Sequence, residues 1–175
     1  MNTSTSINTP LGSVEFTATG SAKLELRSCN LPPNLPNGME VEKVIAVILD
    51  VVPENNIFEL VFDGQLKNQA IKGGYDSGES LDCVTWETDE WALSLGTEDH
   101  QAINERLPNL QVPEMPNPVT YSSSGLRLSL AELTSVDNPI SFHFILAYKQ
   151  LPDDRECSTW FAVDVQHEVA KLELV

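Results

Sequence analysis

The stretch that decides the fold is Met39-Glu-Val-Glu-Lys-Val-Ile-Ala-Val-Ile-Leu-Asp-Val-Val52. It opens in alternation, with Val41 and Val44 set against Glu42 and Lys43, and then becomes apolar at every position from Val44 to Leu49. β-Branched residues dominate it, and such residues fit a pleated strand better than a helix. Six apolar residues are far fewer than the ~20 that a membrane-spanning helix requires. A strand that is apolar on both faces is a central strand covered on both sides.

A second run of the same kind is Ile140 to Lys149. In its core, Ser141-Phe-His-Phe-Ile-Leu-Ala-Tyr148, alternation puts Ser141, His143, Ile145 and Ala147 on one face. Phe142, Phe144, Leu146 and Tyr148 take the other. Shorter alternating runs fall at 13–19 and 22–28, where Gly20-Ser21 between them signals a two-residue hairpin. After the turn Pro53-Glu-Asn-Asn56, Ile57 to Phe62 reads as a returning strand. Further strands are expected at Asp82 to Trp86, Glu90 to Leu95, Gly125 to Leu133 and Ser158 to Gln166, with a short one from Val169 to Leu174. One short helix is expected, capped at Thr97-Glu-Asp99 and stopped before Pro108. The four prolines from 108 to 118 make a stiff extended crossover along an edge or end of the fold. The Ser, Thr and Asn-rich residues 1–11 read as a loose lead-in.

These elements predict an all-β domain spanning 1–175, an antiparallel sandwich or barrel-like fold of about eight to ten strands with at most one short helix. A chain of 175 residues is long enough to bury roughly 70% of its unfolded surface without disulfide staples. Its three cysteines, Cys29, Cys83 and Cys157, are odd in number and widely spaced. They match neither a disulfide framework nor a zinc ribbon, and read as reduced thiols of a cytoplasmic protein. The first twelve residues lack the basic start and apolar core of a secretory signal.

Motifs that carry chemistry nearly occur and then fail. Gly73 to Ser80 approaches a phosphate-binding loop, but Glu79 stands where that loop needs lysine. His167-Glu-Val-Ala-Lys171 approaches a zinc-protease motif, but Lys171 stands where the second histidine belongs. Asp76, Glu79 and Asp82 do not make the spacing of a calcium loop. No nucleophile elbow occurs, and His100, His143 and His167 lie far apart in sequence. His143 reads as a hydrogen-bonded structural residue of its strand. Accordingly no catalytic residue, cofactor site or metal ligand is assigned, and the reading leans away from an enzyme.

Charge gives the remaining signal. The formal charge is −16, which disfavours nucleic acid and anionic membrane as partners. Between Gly73 and Glu105 there are nine acids and no lysine or arginine. Trp86 and Trp91 flank Glu87-Thr-Asp89-Glu90 there, and aromatic anchors beside charges are common in interfaces. The best expectation is a non-catalytic binding or assembly domain that meets a basic protein through Trp86, Glu87, Asp89, Glu90 and Trp91; homo-oligomerisation is left open. The alternatives are a ligand-binding or enzymatic barrel, its site drawn from His143, Cys157, Trp160 and Asp164, and an acidic inhibitor or nucleic-acid mimic.

Overall fold

The computed structural model describes residues 1–33, 35–36, 38–54, 57–77, 81–134, 139–152 and 159–174. Eleven strands among them form two antiparallel sheets. Sheet one has the order β1 (Asn2–Thr9), β2 (Gly12–Gly20), β5 (Ile57–Leu66), β10 (Gly125–Thr134) and β9 (Val119–Ser122). Sheet two has the order β3 (Ala22–Leu31), β4 (Lys43–Pro53), β11 (Ile140–Gln150), β8 (Trp91–Glu98), β7 (Leu81–Glu87) and β6 (Gly74–Ser77). Among the described residues two helices accompany the sheets, α1 (His100–Arg106) and α2 (Thr159–Lys171). The architecture is a sandwich rather than a closed barrel.

The period-two pattern explains the packing. Phe16 and Phe62 from sheet one meet Phe144 from sheet two, with ring centroids 5.8 and 4.6 Å apart. Around them lie Val47, Leu49, Leu93, Leu95, Leu126 and Leu128, all fully buried. The other faces of β4 and β11, carrying Val44, Ala46, Ile48, Ile145 and Ala147, form a second cluster with Ala162, Val163 and Ala170 of α2. The run apolar on both faces is thus a central strand, with the sandwich core on one side and a helix on the other.

Three local expectations are corrected. Residues 1–11 are not a loose lead-in. Asn2 to Thr9 pair with β2 in unbroken register around the turn at Pro10-Leu11. Their polarity hid them, because an edge strand needs backbone bonding and β-branched residues more than it needs burial. Gly20-Ser21 is not a hairpin. Both edges of β2 are taken, by β1 and β5, so the chain crosses to the other sheet. Glycine is needed there because a Cβ on Gly20 would lie 2.4 Å from the Glu59 carbonyl oxygen. Finally, the expected strands at 158–166 and 169–174 are replaced by α2 and the turn after it, a second helix where at most one was expected. Its buried residues Thr159, Ala162, Val163, Gln166, His167 and Ala170 follow helical spacing, which the aromatic and valine content of the segment obscured.

The proline-rich crossover carries the chain from α1 back to sheet one. Leu110 and Val112 are buried, and the Asn104 side chain both donates to and accepts from the Val112 backbone at 2.7 Å. No helix among the described residues is long and apolar enough to cross a membrane.

Candidate functional site

Among the described residues, two places bear on the residues singled out in the sequence. The first lies between sheet two and α2. Glu98 ends β8 on the face that also carries Ala92 and Ser94, and His143 points from β11 toward the same side, as alternation predicts. His167 comes down onto them from α2. Glu98 and His143 are each 1% exposed and His167 is 4% exposed. Arg106, in the last turn of α1, closes the group from the side. Its Nε donates to Glu98 Oε1 at 2.9 Å and its terminal nitrogen donates to Oε2. The chain is placed for this by Asp99, whose carboxylate caps α1 by accepting from the Ala102 N–H at 2.8 Å.

The two imidazoles are joined by a 2.9 Å hydrogen bond between His143 Nε2 and His167 Nδ1. Their outer nitrogens both face Glu98, His143 Nδ1 at 3.7 Å from Oε2 and His167 Nε2 at 3.5 Å from Oε1. Neither outer nitrogen has a hydrogen-bond partner. Burial pushes His143 down to about 3, against the opposing pull of Glu98. Burial also lowers His167. For Glu98 burial acts upward, but the Arg106 hydrogen bond and the neighbouring charges outweigh it and hold the carboxyl below its ordinary range. At neutral pH the group is therefore a carboxylate, a guanidinium and two neutral imidazoles. Beside it, hydroxyls tie the start of α2 to the sheet, with Ser94 Oγ 2.6 Å from Thr159 Oγ1 and 2.8 Å from Thr85 Oγ1.

The second place is the β7–β8 turn. Thr88 fixes it by accepting from the Trp91 N–H at 3.0 Å and the Glu90 N–H at 3.3 Å. Glu87, Asp89 and Glu90 are exposed, while Trp86 is fully buried and donates its indole N–H to the Ser123 carbonyl at 3.0 Å. Trp91 is half-buried against Tyr148. Asp89, Glu90 and Trp91 line one hollow of about 420 Å³ with Pro10, Leu11 and Ile71. Glu87 lines a different one. Three of the five expected binding residues are thus gathered, and Trp86 is directed into the core.

The acidic segment is not one surface. Glu98 pairs with Arg106, the residue just past the segment's end. Asp82 is buried and accepts from the Tyr75 hydroxyl; burial raises its carboxyl above the ordinary range. Asp99 caps α1, and Glu105 accepts from Gln101 at 3.1 Å. The near-miss phosphate loop falls partly, with Glu79, outside the described residues, as does Cys157. Trp160 is exposed and Asp164 half-buried on α2, and neither is among the groups around His143. Sequence reasoning missed the Glu98–His143–His167 group because its members come from β8, β11 and α2. The one available signal was that His143 sits on the face opposite the phenylalanines.

The chain matches no family model, no curated protein and no solved structure.

Proposed function

We propose that this chain is a non-catalytic, cytoplasmic binding or assembly domain that receives a basic side chain of a partner protein at the β7–β8 turn. The observation that carries the reading is the convergence of Asp89, Glu90 and Trp91 on one hollow. Leu11, Ile71 and Pro10 offer an apolar wall for the methylenes of lysine or arginine, the indole of Trp91 offers a cation–π face, and the two carboxylates offer counter-charge. Thr88 holds the turn before any partner arrives, so little ordering accompanies binding. The net charge of −16 steers a basic partner inward from a distance. A non-catalytic role is favoured because the Glu98–His143–His167 cluster is almost wholly buried beneath α2, with Glu98 and His143 each 1% exposed.

The test is a titration of the protein with an oligolysine peptide, followed at the Trp91 indole N–H. The expected result is a saturable shift that weakens as salt rises and weakens further in Asp89→Asn/Glu90→Gln. A shift indifferent to both salt and that double substitution overturns the reading.

A further inference from the structure

We infer that Glu98, His143 and His167 form a binding site for one divalent transition ion of the zinc, cobalt or nickel class. Among the described residues these three offer donor atoms within 4.8 Å of one another. Geometry carries the argument: two buried ring nitrogens face a buried carboxylate with no hydrogen-bond partner, and a count of protons agrees with it. Two neutral imidazoles hold two ring protons. One is used in the 2.9 Å bond between His143 Nε2 and His167 Nδ1. A single proton then remains for two outer nitrogens, and both of these face the Glu98 carboxylate without a hydrogen-bond partner. Whichever tautomers are chosen, one bare nitrogen lone pair is buried against a carboxylate oxygen. A cation turns that repulsion into coordination.

The distances agree. At 3.5 and 3.7 Å the nitrogen–oxygen gaps are too long for hydrogen bonds. Each gap, to a different Glu98 oxygen, lies close to the edge of a tetrahedron, about 3.4 Å, expected for ligands bound at about 2.1 Å; separations within the donor set reach up to 4.8 Å, so the rings draw together as the ion binds. Two imidazoles and one carboxylate suit zinc, cobalt or nickel; calcium and magnesium want more oxygens. Arg106 occupies one lone pair on each Glu98 oxygen, leaves others for the ion and orients the carboxylate, as outer partners of metal ligands do. His167 retains slight side-chain exposure and Arg106 rather more, so the ion enters between α1 and α2.

Binding carries a structural consequence. With both outer nitrogens on the ion, each ring keeps its proton on the inner nitrogen, and two N–H groups then face each other. The His143–His167 hydrogen bond must open, and α2 reseats against β11.

The experiment titrates chelator-treated, full-length protein with Co(II) and then Zn(II). The expected outcome is one equivalent bound, with a visible Co(II) band that Zn(II) removes and a raised Tm. Histidine ring-nitrogen NMR should move His143 Nδ1 and His167 Nε2 to metal-bound positions. His167→Gln and His143→Gln should each weaken binding at least tenfold, and His100→Gln should leave it unchanged. Absence of binding overturns the site, and so does binding that survives both substitutions or is lost in His100→Gln. If the His143 and His167 variants fail to fold, the unsubstituted protein decides: unmoved outer nitrogens in the presence of the ion overturn it.

Discussion

The outer faces of the two sheets hold the same chemistry under opposite conditions. On sheet one the face is open. Arg127 meets Asp63 at 2.7 Å and Lys67 meets Glu15, and both cations are more than half exposed. On sheet two the corresponding face lies beneath α2, and there the Arg106–Glu98 pair is sealed in, with the Glu98 side chain 2% exposed. Exposed pairs sit in water that screens them, whereas a sealed pair has given up its hydration and depends on its partner. Arg27 and Asp50, farther along the outer face of sheet two, remain partly exposed, so the sealed charge belongs to the stretch around Glu98.

The sharpest way to break this comparison is to make one change on both faces. Arg106→Ala strands a buried carboxylate and should destabilise by about 3–5 kcal/mol, read from urea unfolding; a loss under 1 kcal/mol would mean that water reaches Glu98. Next in size is Ile48→Ala, which empties space between β4 and α2 and should destabilise by about 2–5 kcal/mol. Equal values for Ile48→Ala and an exposed control such as Val52→Ala would show that α2 does not seal the face. A third test uses acid on the chelator-treated protein. His143 is neutral when folded, with its pKa lowered, so the unfolded chain binds more protons below about 6.5. Stability present above that value should drain as pH falls from about 6.5 toward 3, by at most about 1.4 kcal/mol per pH unit for this group. His143→Gln should flatten the slope in that window, and an unchanged slope would remove His143 as its source. The smallest effect belongs to Arg127→Ala on the open face, about 0–1 kcal/mol, shrinking further in salt.

Much of this contrast is legible in the sequence. The unbroken run from Val44 to Leu49 announced a strand covered twice, and alternation placed His143 opposite Phe142 and Phe144. The identity of the cover was not legible, because Trp160, Phe161, Val163 and Val165 favour strands locally, and only packing on β4, β8 and β11 makes that segment a helix. By its local sequence Glu98 belongs to a helix start within an acidic stretch. Its real partners are Arg106, about two turns of helix away, and two histidines whose approach depends on strand order, which no local pattern encodes. The protease-like motif at His167 lacked a second histidine along the chain; the second imidazole comes across the fold, from β11.

The place of α2 at the far end of the chain order has a consequence for how the protein is made. β4 is complete at residue 53, and the helix that covers its outer face closes at residue 171. At ribosomal speeds the intervening residues take on the order of ten seconds to emerge. For that interval Val44, Ala46 and Ile48 lack the cover that α2 gives them in the finished fold. The nascent polypeptide thus presents a sticky, half-dressed sheet to its surroundings, and whatever shields it then, whether a chaperone or the chain's own transient structure, performs in passing the duty that α2 later performs for good.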